Sequence, residues 1–233
     1  HHKTFNPYWG GVTHRNWFDW WETPSPLGMT VEDWRSVHGI SYAAIERSIW
    51  EQMASSEAGR AWREAVLPLR TLDSDEMRGP DTVFVRLWRP DVELDVQFGD
   101  AIRLIGYDLG AETYAPGETV TLRFYWNAPA PPAANYSVFV HLIPEDGEGV
   151  PLAQADGAPA SPGRPTLLWT DSSETIISDP FTLTLPADLA PGTYAIRIGL
   201  YDQETGARLP VVGSDGQPAG DSLPLTTLEV TLP

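Results

Sequence analysis

Thr119-Val120-Thr121-Leu122-Arg123-Phe124-Tyr125-Trp126 places Val120, Leu122, Phe124 and Trp126 on one side of an extended chain and Thr119, Thr121, Arg123 and Tyr125 on the other. A side-chain period of two over eight residues predicts a strand with one buried face. The same grammar returns in Tyr136, Val138, Val140 and Leu142, in Phe181, Leu183 and Leu185, and in Tyr194, Ile196, Ile198 and Leu200. Turn signals separate these runs: Ala115-Pro116-Gly117-Glu118, Pro144-Glu145-Asp146-Gly147, Ala190-Pro191-Gly192 and residues 202–206. Many half-buried strands punctuated by Pro and Gly predict an all-β antiparallel sandwich, immunoglobulin-like or jelly-roll-like, over residues 91–233, with a last strand over 223–232. Each large inward side chain contributes about 1.5–3 kcal/mol on burial, so a dozen can hold such a domain without a metal or disulfide.

Residues 1–90 follow another pattern and predict a small Trp-rich α/β segment. They hold eight of the ten Trp, and three of these, Trp17, Trp20 and Trp21, fall within five residues, more than a short loop can bury by itself. Residues 1–30 read as irregular, because Pro7, Gly10-Gly11, Pro24 and Pro26 break any period. Thr30 and Asp33 resemble a capping box that opens a short helix ended by Gly39. Residues 40–45 predict a short buried strand, and residues 47–66 predict one or two helices, Gly59 weakening the middle. Ile49, Trp50, Met53, Trp62 and Val66 are the expected inward positions. A turn at Arg78-Gly79-Pro80-Asp81 leads into an alternating strand over 82–88.

Charge is unevenly divided. Residues 1–90 carry 10 basic and 12 acidic residues; residues 91–233 carry 5 and 20, a net of −15 out of −17 for the chain. Such a surface repels phosphate backbones and anionic head groups, so no nucleic-acid or direct bilayer partner is expected for the second part. At 42% hydrophobic residues the composition is that of a folded protein. No apolar run reaches the roughly 18–20 residues of a membrane span, and no leader pattern is expected; a membrane anchor would lie outside the chain. Without cysteine there are no disulfides, thiolate nucleophiles or Cys-ligated zinc sites.

The strands also carry specific wording. Phe98-Gly99-Asp100-Ala101-Ile102-Arg103-Leu104-Ile105-Gly106-Tyr107-Asp108, then residues 116–126 and Tyr136-Ser137-Val138-Phe139-Val140-His141-Leu142, and finally Pro191-Gly192-Thr193-Tyr194, Gly199-Leu200-Tyr201-Asp202 and residues 205–211 make a recurring pattern. It resembles the C-terminal extracytoplasmic β-sandwich of bacterial polytopic glycosyltransferases of the dolichyl-phosphate-mannose-protein mannosyltransferase kind, over residues 96–212. Gly39-Ile40-Ser41-Tyr42 and Arg78-Gly79-Pro80 are similar to the α/β segment that precedes the sandwich in those proteins. One departure is local: Trp169 is followed by Thr170-Asp171-Ser172-Ser173-Glu174, where such modules tend to have Pro-Gly-Glu. The resemblance implies a location on the extracytoplasmic face of a bacterial membrane or the cell surface and a membrane-embedded parent. It also implies chemistry in an acidic loop near the parent's first membrane helices. No part of that loop is present, so no catalytic residue is carried over.

Candidate sites follow from residue types. Trp169, Tyr125 and Tyr201 are the expected ligand-binding side chains, since sugar CH faces stack on exposed aromatic rings; the competing reading makes Trp169 a plug at the sandwich end. Trp17, Trp20 and Trp21 are the expected interface. His141, beside Phe139 and opposite in parity to Val138, Val140 and Leu142, reads as a half-buried hydrogen-bonding residue. No nucleophile-elbow or phosphate-loop pattern occurs, so the chain is not read as an enzyme. No metal site is assigned to His1, His2 or His14, and no cofactor is expected. Calcium is the alternative weighed, at the oxygen-rich loops Asp73-Ser74-Asp75-Glu76 and Glu145-Asp146-Gly147-Glu148. The leading expectation is a noncatalytic accessory region that positions a glycan or protein acceptor or stabilises an assembly. An independent carbohydrate-binding module and a structural subunit of a surface assembly are the alternatives.

Overall fold

The computed structural model describes residues 3–5, 31–32, 35–36, 40–77, 79–145, 150–213 and 216–232. The chain divides into two units, His1–Arg89 with Ser173–Thr175, and Pro90–Ser172 with Ile176–Pro233.

In the first unit, strands β1 (Lys3–Phe5), β2 (Ile40–Glu46), β3 (Leu67–Leu72) and β4 (Thr82–Arg86) form a sheet of order β1-β2-β4-β3. Helices α1 (Arg47–Met53) and α2 (Glu57–Ala65) connect β2 to β3, and α3 (Ser74–Met77) lies between β3 and β4. Because β4 runs antiparallel to both β2 and β3, it splits an otherwise ordinary β-α-β crossover. Residues 47–66 break at 54–56, not at Gly59. Ser56 caps α2 by accepting the Gly59 N–H through its side chain. Gly59 is there for space: a Cβ would stand 2.1 Å from the Met53 carbonyl oxygen. Trp50, Met53, Trp62 and Val66 join Ala43, Ile45, Val83, Val85 and Leu87 in one core, with Ile49 packed on its margin. Strand β3 was not expected, since Leu67-Pro68-Leu69 shows no clean alternation. It sits at the sheet edge, and its register shifts between Pro68 and Arg70, where proline costs no central hydrogen bond. The expected helix after Thr30 and the Trp17-Trp20-Trp21 cluster lie largely or wholly outside the described residues.

The second unit is a two-sheet sandwich, and its strands pair almost entirely antiparallel. One sheet contains β5 (Val92–Phe98), β6 (Ile102–Leu109), β8 (Thr119–Asn127), β11 (Ile176–Ile177), β12 (Phe181–Thr184) and β14 (Val211–Val212). The other has order β10-β9-β13-β15-β7, from β7 (Thr113–Tyr114), β9 (Tyr136–Pro144), β10 (Ala153–Gly157), β13 (Gly192–Asp202) and β15 (Leu223–Val230). The inward positions of the alternating runs form the core. Val120, Leu122, Phe124, Trp126, Val138, Val140, Leu142, Ile196, Ile198 and Leu200 have no exposed surface. One pairing breaks the antiparallel rule: β7 joins β15 in parallel, a two-residue contact made as the chain crosses between sheets. The edge formed by β11 and β12 is interrupted at Ser178-Asp179-Pro180, and Ser178 bridges the gap. Its N–H donates to the Phe124 carbonyl, and its hydroxyl accepts the Phe124 N–H at 2.9 Å. Among the described residues, no helix is long and apolar enough to cross a membrane.

Candidate functional site

The sequence-chosen aromatics do not meet. Trp169 follows a 3-10 turn (Thr166–Leu168) and is wholly buried in the sandwich core, its indole N–H donating to the Arg164 carbonyl at 3.2 Å. Thr166 is equally buried and locks the turn, donating to the Ala134 carbonyl and accepting the Tyr136 N–H. Trp169 is therefore a plug and offers no ring face to a ligand. Tyr125 is corrected likewise. It points away from the inter-sheet core, yet it has no exposed surface, and its hydroxyl donates to Asp108 at 2.5 Å. Trp17, Trp20 and Trp21 lie outside the described residues. At 73–76, where α3 begins, one Asp73 carboxylate oxygen accepts both the Asp75 and Glu76 N–H groups, and Glu76 pairs with Arg70 at 2.8 Å, so these two carboxylates have structural duties. No cluster of three or more metal-ligating side chains occurs among the described residues. Residues 146–149 are not described.

Tyr201 does stand on a built surface. In the unbroken register of β13 on β9, Arg197 lies opposite His141, Gly199 opposite Phe139, and Tyr201 opposite Ser137. Since Ile196, Ile198 and Leu200 point inward, these six residues share the outer face of the five-stranded sheet. On β10, Gln154 lies opposite His141 and Asp156 opposite Phe139. Gly199 makes the arrangement fit: a Cβ there would come within 2.3 Å of the Phe139 ring and 2.8 Å of the Asp221 carbonyl oxygen. The Phe139 ring thus lies over bare backbone. The His141 ring tilts against it at 4.6 Å between centroids, and the Arg208 guanidinium sits 4.3 Å from the same ring. An ion pair to Asp221 at 3.3 Å holds Arg208 from the other side. Arg197 donates to the Ser222 hydroxyl at 3.3 Å, while its Nε is enclosed without a partner. The Gln203 side-chain amide donates to the buried Ser137 hydroxyl, closing the lower end of the patch.

Burial, assisted by the Arg208 charge, lowers the His141 pKa from its ordinary 6.5, against an opposing pull from Asp156. The unfolded chain therefore binds a proton more readily than the folded one. Stability from this residue is fully present above pH about 6.5 and is lost as pH falls through the lower folded pKa. The groups facing the imidazole are Arg197, Arg208 and Asp156, of which only Asp156 opposes the loss. His141→Gln should flatten the stability–pH curve below pH 6.5 while leaving it unchanged at pH 8, as read by thermal melts across that range. An unaltered slope would mean that His141 does not contribute.

Gly199→Ala should cost about 1–3 kcal/mol through overpacking, chiefly against the Phe139 ring and partly against the Asp221 carbonyl oxygen. Adding Phe139→Ala should make the double variant less destabilised than the sum of the two singles, because the nearer of the two clashes is gone. Strict additivity in a denaturation cycle would show that the ring does not rest on Gly199.

No sequence signal groups His141, Arg197 and Arg208, because the patch joins β9, β13 and the 203–222 segment, which no local spacing connects. The available signal was Phe139, an aromatic at an outward position of β9, opposite a glycine.

No protein-family description matches the chain. No curated protein matches it. Solved structures that align with the chain include the C-terminal domain of Wzt, at TM-score 0.36 and 18% identity over 62% of this chain and 83% of that one. The sporulation control protein Spo0M from Bacillus subtilis aligns at TM-score 0.30 and 15% identity, over 57% of this chain and 50% of its own. A protein from Corynebacterium diphtheriae described as membrane anchored aligns at 0.24 and 19%, over 66% of this chain and 41% of its own. None of the three is described as a mannosyltransferase.

Proposed function

We propose that this chain is the noncatalytic, extracytoplasmic accessory region of a membrane glycosyltransferase-like protein, and that its sandwich holds an acceptor glycan on the outer face of the five-stranded sheet. The observation that carries the binding role is the convergence of Arg197, Arg208, His141 and Tyr201 on one face, oriented by Phe139 and Gly199. Preorganised polar groups beside an aromatic edge are the means by which proteins orient sugars. The sequence resemblance over residues 96–212 supports the parentage. The proposal gives the chain no catalytic step and no cofactor; chemistry belongs to the parent.

The test is calorimetry and glycan-array binding with the purified chain. Retention of an oligosaccharide without turnover, lost on Arg197→Gln, is the expected result. Consumption of the glycan, or no retention across a broad array, would overturn the reading. A structural role in an assembly is favoured by one observation. Leu167 and Leu168 are exposed on a turn whose neighbours Thr166 and Trp169 are fully buried, a rigid apolar pair suited to a protein contact. A strictly monomeric chain by light scattering at high concentration would remove self-association as that role.

A further inference from the structure

The donors on the candidate face are arranged for a negative charge, although they stand on the acidic part of the chain. Residues 91–233 hold only five basic side chains, Arg103, Arg123, Arg164, Arg197 and Arg208. One of the five, Arg197, lies opposite His141 across the strand pair, and another, Arg208, sits over the Phe139 ring against which His141 tilts. Arg197 donates one N–H to the Ser222 hydroxyl at 3.3 Å, which anchors its guanidinium on this face while its Nε stays enclosed. Arg208 spends one nitrogen on Asp221 and lays its plane over Phe139, which fixes its orientation before any ligand arrives.

The local charge limits what can bind. Arg197 and Arg208 are offset by Asp156 and Asp221, so the patch is near neutral when His141 is neutral and gains one positive charge when His141 is protonated. A single negative charge completes it, whereas a doubly charged phosphate would leave an excess next to Asp156. A planar carboxylate also matches the fork of a guanidinium better than a point charge would.

We propose that the face formed by His141, Arg197 and Arg208 binds the carboxylate of an acidic sugar unit, a uronate, within the glycan. This rests on the glycan-holding reading given above and narrows its ligand class. The carboxylate takes N–H donors from the two guanidinium groups and the imidazole. The polar side chains of Gln154 and Tyr201, on the same face, are left for ring hydroxyls.

The experiment uses the full chain and three probes: tri-galacturonate, the matching neutral galactose trisaccharide, and inorganic phosphate. Titration calorimetry at pH 6 and pH 8 reads affinity, and NMR of the His141 imidazole in the unmodified protein reads location. The expected result is binding of the uronate trimer at least about tenfold tighter than the neutral one, tighter at pH 6 than at pH 8, with the His141 signal shifting. Arg197→Gln and, independently, Arg208→Gln should each weaken it about tenfold or more, and Arg197→Lys should fail to restore it. Equal affinity for acidic and neutral trimers would overturn the carboxylate proposal and leave the glycan-holding reading intact. Absence of binding by both trimers would overturn the uronate proposal, while the glycan-holding reading falls only if the broad array is also blank. Phosphate competing as well as the uronate, or an unmoved His141 signal during binding, would also overturn it.

Discussion

Replacing Trp126 with alanine is expected to destabilise the sandwich by about 3–5 kcal/mol, the range for removing a large aromatic from a packed core. Trp126 has no exposed surface and touches Phe98 and Phe124, with ring centroids 6.2 and 5.7 Å away. Phe124 in turn meets Phe181 at 5.2 Å, so the cavity would open inside a continuous aromatic cluster. Trp126→Phe should cost much less. It keeps most of the volume, and it deletes an indole N–H that is buried without a partner, whose retention costs about 1–3 kcal/mol. Chemical denaturation followed by far-UV circular dichroism checks the pair. If the alanine variant lost under 1 kcal/mol, or the phenylalanine variant lost as much as alanine, the packing described for this core would be wrong.

Trp169→Ala is expected to cost a similar amount, about 3–5 kcal/mol, with no change in glycan affinity at a temperature where the variant stays folded. The side chain is fully buried, its N–H is satisfied by the Arg164 carbonyl, and it closes a turn whose other anchor, Thr166, is also buried. Removing it loosens the 158–170 region, whereas Phe139, His141, Arg197 and Arg208 are arranged by β9, β13 and the ion pair to Asp221. Denaturation and calorimetry on the same preparation separate the two effects. Lost binding with stability intact would return Trp169 to the ligand site and displace the outer-face cluster.

The strand runs were legible because burial of one face imposes a period that survives in the sequence. Val120 to Trp126, Val138 to Leu142 and Ile196 to Leu200 need no context to be assigned. The break between α1 and α2 was legible only as a possibility of two helices; its position came from Ser56 acting as a cap, while Gly59 proved to be a packing requirement. β3 escaped because an edge strand with a proline has little alternation to show. Tyr125 misled for a related reason: parity tells which way a side chain points, but other chain elements decide whether that side is covered.

Composition, charge and alternation were enough to determine an acidic two-part chain whose larger part is a sandwich, since these depend on residues close together in sequence. The candidate site was decided only in three dimensions. Phe139 needs Gly199 sixty residues later, Arg208 pairs with Asp221, and Arg197 stands opposite His141 only because β13 pairs with β9. None of these partners is specified by a local period, because a sheet brings distant residues side by side through backbone hydrogen bonds that do not depend on side-chain identity, proline lacking only the N–H donor.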